Sequence, residues 1–234
     1  MINSSIIGEA LEKLAPEPSE SLLLSEINRF IEILARVKPA GNVFNQYSYE
    51  LSINSIRRSN LSLYFKQMVN LKPRLLLVGE APGYRGCRLT GVPFTSEYIL
   101  LKGLEEPGLF GEYRGYCKTN QSERVWKESS ASIVWQTLAT TTQVPLIWNA
   151  FPFHPFQPGN EQSNRKPCSD EVKLGQAFLK DLIQIFDIEI VVAVGNTAES
   201  ALKDMTITHR KVRHPAHGGK TMFVNGINAV MDMI

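Results

Sequence analysis

Residues 78–94, VGEAPGYRGCRLTGVPF, set one acid, Glu80, among four glycines and end on a Pro-Phe pair. They follow directly on an apolar run, Leu75 to Val78. Glycine there permits close backbone approach, and the ring of Phe94 after Pro93 suits a flat partner. A loop of this make-up can cradle a phosphate. It matches neither the G-x-x-x-x-G-K-[ST] loop nor G-x-G-x-x-G, so the phosphate signal is weak. Two further polar residues stand at the ends of apolar runs: Asn149 in Pro145–Ala150 (PLIWNA), and His214 after Thr206–Val212 and before Pro215. Taken singly, each has a plain structural reading. Phe94 could be core, Asn149 a turn cap, His214 a satisfied strand-end histidine and Glu80 a solvated loop acid.

The elements that must position these residues follow from periodicity. Leu23, Ile27, Ile31 and Leu34 recur at helical spacing within residues 20–37, and Lys38-Pro-Ala-Gly41 stops that helix. Residues 55–69 read as a second helix. Arg74–Glu80 reads as a buried strand bounded by Pro73 and Gly79. Ser130–Thr141 reads as a helix, Pro145–Ala150 as a second strand, and Ser169 as the cap of a helix reaching about Phe186, with Asp170 and Glu171 in its first turn. Ile188–Val194 predicts a third strand, Gly195-Asn196 turns into another helix, Thr206–Val212 predicts a fourth strand, and a short C-terminal helix follows. Short apolar strands alternating with helices predict an α/β fold: a three-layer α/β/α sandwich around a mostly parallel, four-stranded sheet. Ligands of such sheets bind at the carboxyl ends of the strands, where Glu80–Phe94, Asn149 and His214 all fall.

Composition bounds the rest. The chain has 234 residues and is 43% hydrophobic, enough for one core. We expect residues 1–70 as a helical segment packed on an α/β domain of residues 71–234. No apolar stretch nears the roughly 20 residues that span a bilayer. MINSSIIGEALEKL lacks early positive charge, so a secretory signal is not expected. Cys87, Cys117 and Cys168 are widely spaced with no CxxC pair, which argues against a disulfide framework or a zinc site and for a reducing cytosol. Net charge is only +2, yet no acid lies between Asp204 and Asp232, a stretch holding Arg210, Lys211, Arg213, Lys220 and three of the four histidines. That surface suits a phosphate backbone, or is simply a solvated basic edge.

The ordered set of Gly79-Glu80-Ala81-Pro82-Gly83, Thr90-Gly91-Val92-Pro93-Phe94, Asn149 and His214-Pro215-Ala216 resembles the uracil-DNA glycosylase superfamily, over Leu75 to Lys220. The resemblance implies a glycosylase of base excision repair, a hydrolase that cuts the N-glycosidic bond of uracil or another deaminated base. By that likeness Glu80 and His214 are catalytic, and Phe94, Asn149, Gly83 and Tyr84 form the base pocket. Arg213, His217, Gly218, Gly219 and Lys220 then contact DNA, and the glycines let backbone amides approach phosphate. No metal or other cofactor is implied. The expected partner is DNA, single-stranded or mismatched, and the expected state a cytoplasmic monomer.

Three departures from the family pattern matter. Its usual Asp or Asn water activator is replaced by Ala81, leaving Glu80 as the loop's acid. Its methyl-excluding tyrosine is replaced by Gly83, with Tyr84 beside it. The wedge after HPA is His217-Gly218-Gly219-Lys220, which has little bulk. Its iron–sulfur branch needs four cysteines, and this chain has three. His154 reads as structural. The alternatives are a weak or silent member of the fold that binds single-stranded DNA or a free base or nucleotide, and an unrelated α/β phosphate-binding enzyme.

Overall fold

The computed structural model describes residues 18–120 and 122–233. The N-terminal residues 1–17, on which the reading of a leader rests, lie outside them. In chain order the elements are α1 (Pro18–Arg36), β1 (Val43–Phe44), α2 (Asn54–Leu71), β2 (Leu75–Gly79), α3 (Cys87–Thr90), α4 (Glu97–Lys102) and a 3-10 turn (Glu112–Arg114). There follow α5 (Ser129–Leu138), β3 (Leu146–Asn149), β4 (His154–Pro155), α6 (Ser169–Ile185), β5 (Ile190–Val194), α7 (Asn196–Asp204), β6 (Arg210–Val212) and α8 (Lys220–Met231).

Three apolar runs and the short strand β6, Arg-Lys-Val, pair in the order β3-β2-β5-β6, and every pairing is parallel. The sheet is therefore wholly rather than mostly parallel. All five residues of β2 are buried, as a central strand covered on both faces requires. The β2–β3 connection runs one way across the sheet, and the β3–β5 and β5–β6 connections run the other. Right-handed crossovers then place α5 on one face and α6 and α7 on the opposite face. Packing agrees: α6 and α7 touch each other and the sheet, while α8 touches both β6 and α5. Phe30 of α1 sits edge-on to Trp148 and Phe178, centroids 5.5 and 5.7 Å away, so α1 joins the α6 side. Ile27, Ile31 and Leu34 are buried with it. α2 covers the β3 edge, where the Tyr64 hydroxyl accepts from Ile147 N–H at 2.9 Å and satisfies an edge-strand donor.

Several element ends differ from the sequence reading. The fourth strand begins only at Arg210, because Thr206 N–H and Ile207 N–H bond back to Lys203 O and Leu202 O and close α7. The cap of α6 is Cys168, not Ser169: the Glu171 carboxylate accepts from Cys168 N–H at 2.8 Å. α5 ends at Leu138, where the Thr140 and Thr141 hydroxyls donate to Thr137 O and Leu138 O. The antiparallel pair β1–β4 and the short α3 and α4 were not foreseen. No helix among the described residues is long and apolar enough to cross a membrane.

Candidate functional site

The carboxyl ends of β2, β3 and β5 and the loop after β6 open on one cavity of about 580 Å³, within the range of small-ligand pockets. Its floor is set by strand register. Gly79 pairs with Asn149, and the pairing runs past the strands through Ala150 N–H to Gly79 O (2.8 Å) and Phe151 N–H to Glu80 O (3.0 Å). Glu80 and the end of β3 are thereby held side by side. A methyl group on Gly79 would stand 2.2 Å from the Phe94 ring and 2.7 Å from Asn149 Oδ1. Only glycine lets ring and carboxamide meet over β2. Asn149 is 3% exposed, and its amide is left to face the cavity.

Phe94 is half-buried, one side on the core and one on the cavity. Its φ of 49° lies in the left-handed region, a conformation that costs a phenylalanine on the order of 1–3 kcal/mol. The turn is forced by its surroundings. Trp135 Nε1–H donates to Phe94 O at 2.9 Å, and the Thr90 and Thr95 hydroxyls bond each other at 2.7 Å. Thr95 also donates to Val92 O, and Val92 N–H to Thr90 Oγ1. Gly91, at φ 78°, lies where any Cβ would strike Arg57 O at 2.4 Å.

Across the cavity, His214 stands with its ring centroid 6.1 Å from that of Phe94. Ala216 N–H donates to His214 Nδ1 at 3.1 Å, so the neutral ring carries its proton on Nε2. Burial lowers the pKa of His214, against the opposing pull of Glu80 and Glu128. The Glu80 carboxylate accepts a hydrogen bond from the Thr197 hydroxyl at the start of α7. The cavity thus combines a flat apolar face, a buried carboxamide, an acid anchored at one oxygen and a fixed N–H donor. Such a set can bind a flat polar ring, stabilise negative charge on it and position water.

The family model for the uracil DNA glycosylase superfamily matches residues 66–230. The chain belongs to that superfamily. Its fold resembles the crystal structure of wild-type Pedobacter heparinus SMUG2, with a TM-score of 0.65 at 13% identity, covering 90% of this chain and 97% of that one. No curated protein matches the chain.

Seven residues singled out from the sequence line this cavity. Glu80, Gly83, Phe94, Asn149, Arg213, His214 and His217 all face it. Tyr84 does not. Asn164 Oδ1 holds its N–H at 2.9 Å, and its ring lies under Arg85 instead. Gly218, Gly219 and Lys220 are also outside the lining. Gly219 N–H is taken by Ala216 O, and a Cβ there would meet His214 O at 2.1 Å, so this glycine closes the turn rather than opening it to phosphate. Gly218 has nothing within 4 Å of a Cβ position.

The sequence reading missed Thr197, Glu128, Ser130, Asn164 and Lys166, which also line the cavity. Asn196-Thr197 after Gly195 was a legible signal: a hydroxyl at the head of a helix that follows a strand. His154 is structural, as read. It is fully buried, with Nδ1 2.7 Å from Pro82 O and Nε2 3.1 Å from Glu161 O, and it pins the GEAPG loop. Cys87 is buried against Tyr47 and its pKa is pushed up to about 12 by burial, which makes it an inert thiol.

Proposed function

We propose that the chain is a monofunctional DNA glycosylase that hydrolyses the bond from C1′ of deoxyribose to N1 of uracil, or to the corresponding nitrogen of another deaminated base. The observation that carries this reading is the fixed Nε2–H of His214 in the same cavity as Phe94 and Asn149. Phe94 stacks on the extruded base. The Asn149 carboxamide pairs with O4 and N3–H of uracil and mismatches cytosine. As the glycosidic bond breaks, its electron pair leaves on the base, and His214 Nε2–H donates to the O2 where charge collects. Water adds to C1′ and gives up a proton to Glu80, whose other oxygen is held by Thr197.

The Gly83 wall is open, which favours mismatched thymine, hypoxanthine or xanthine as further substrates. The slight wedge after Pro215 favours single-stranded or mismatched DNA. Arg213 and His217 at the rim serve phosphate. Lys220 and Gly218 lie further out and would meet the backbone beyond it. One observation favours a second reading, a slow or silent member that binds single-stranded DNA or a free base: Ala81 offers water no hydrogen bond.

Single-turnover release of uracil from a labelled single-stranded oligonucleotide tests the proposal, with abasic sites cut by alkali. Asn149→Ala and His214→Ala are expected to cost on the order of 100-fold or more. Glu80→Gln is expected to cost roughly 100- to 10,000-fold. Release by wild type that falls only with Asn149→Ala keeps the pocket and removes Glu80 from the chemistry. No release of uracil, hypoxanthine or mismatched thymine supports the silent reading.

A further inference from the structure

Beside the cavity mouth, rings alternate with cations. The guanidinium of Arg124 lies 3.8 Å from the Trp126 ring centroid and that of Arg85 lies 4.9 Å from it. Arg85 also lies 5.1 Å from Tyr84, while Lys127 and Lys102 lie 4.1 and 5.8 Å from Tyr98. Tyr98 is 37% exposed and Val125 38%. This strip is fixed, not draped. The Glu97 carboxylate, fully buried, accepts from Trp126 N–H at 3.0 Å and from the Asn120 amide. Tyr98 N–H donates to Trp126 O at 3.0 Å. Two residues on, Glu128 caps α5 through Ser130 N–H and Ala131 N–H, and its Cγ lies 3.6 Å from where a Cβ on Gly86 would stand. Glu128 and Gly86 both line the cavity, so the strip is continuous with it.

We infer that Tyr84, Trp126 and Tyr98, with Arg85, Arg124, Lys127 and Lys102, form a track for the single-stranded DNA flanking the base in the cavity. A single strand alternates flat bases with phosphates, and this surface alternates flat rings with cations at matching chemistry. Arg124 is exposed on a flexible stem. An arriving base replaces it on the Trp126 ring, and its guanidinium moves to the neighbouring phosphate. Duplex DNA keeps its base faces stacked and gains nothing from the rings. An acidic polypeptide uses the cations alone. The inference rests on the glycosylase reading only in taking the strand to be substrate.

The test is fluorescence anisotropy with a 16-nucleotide oligothymidylate that contains no uracil. Trp126→Ala is expected to weaken binding about tenfold. Arg124→Glu with Lys127→Glu, both at exposed positions, is expected to weaken it at least as much and to flatten the log–log salt slope by about 1.4. Lys173→Glu with Lys180→Glu, on α6 across the sheet, is expected to change it less than twofold. On a 16-mer carrying one uracil, kcat/KM for release is expected to fall in Trp126→Ala, with kcat little changed. Track variants that bind like the α6 control overturn the inference, as does equal competition by polyglutamate or by duplex of the same length. Wild type that binds the oligothymidylate through this strip but releases no base sinks the glycosylase reading and leaves the track standing.

Discussion

Gly79 at the end of β2 and Gly83 in the loop that follows sit four residues apart and make opposite demands. A methyl group at Gly79 would displace both the Phe94 ring and the Asn149 carboxamide. Gly79→Ala is therefore expected to slow uracil release about 100-fold, the cost of misplacing a reacting group by about an ångström. Overpacking should also lower stability by about 1–3 kcal/mol, seen in denaturant melts. At Gly83 a Cβ would meet only Asn164, at 4.0 Å. Gly83→Tyr should fold normally and close the pocket wall. Its expected mark is a loss of at least about tenfold in release of thymine from G·T mismatches, with uracil release largely kept. On the proposed mechanism Thr197 holds the Glu80 carboxylate in place. Thr197→Val should lower kcat more than it changes KM, and Thr197→Ser should restore kcat.

At the scale of elements, the site depends on loops held from far along the chain. His154 lies in β4 and reaches Pro82 O across 72 residues. His154→Ala removes a fully buried side chain and both of its ring contacts, to Pro82 O and Glu161 O, one of which loses its N–H donor. The expected loss is about 2–4 kcal/mol in urea unfolding, with slower uracil release because the GEAPG loop loosens. Arg165 and Glu171 pair at 2.6 and 2.7 Å, and Arg165 also donates to Phe156 O and Asn42 O, so one side chain ties β1, the loop after β4 and the head of α6. Gly175 lets α6 cross the end of β3, since a Cβ there would stand 1.8 Å from Ala150 O. A helix outside the cavity lining thus fixes the residue after Asn149.

The whole molecule responds to pH through His154, which is fully buried, and His214, which is half-buried. Burial lowers the pKa of both His154 and His214. The unfolded chain titrates near 6.5 and so binds more protons than the folded one just below that pH. Their contribution to stability is full above about pH 6.5 and is lost as pH falls through the folded values. The melting temperature is expected to drop between pH 7 and pH 5, and less so in His214→Asn. Acid also puts a proton on His214 Nδ1, which then faces Ala216 N–H as donor against donor.

The alternation of apolar strands with helices was legible because a parallel sheet covered on both faces needs uninterrupted apolar runs, and Leu75–Val78, Leu146–Trp148 and Ile190–Val194 are such runs. The convergence of Glu80, Asn149 and His214 followed from the same fact, since parallel strands bring their carboxyl ends to one edge. Thr206–Ile207 misled because an apolar residue closing a helix looks, in one dimension, like the start of a strand. Tyr84 was placed in the pocket by its neighbours in sequence, whereas Asn164, 80 residues on, and Arg85 turn it outward. Residue types and strand ends are local properties, so the sequence by itself determined the sheet, the family and the meeting of Glu80, Asn149 and His214 at its edge. Side-chain direction in a loop is set by distant contacts. Only the tertiary structure could decide that Thr197 anchors Glu80 across 117 residues, that His214 holds its proton on Nε2, and that Glu97 holds Trp126 across 29 residues.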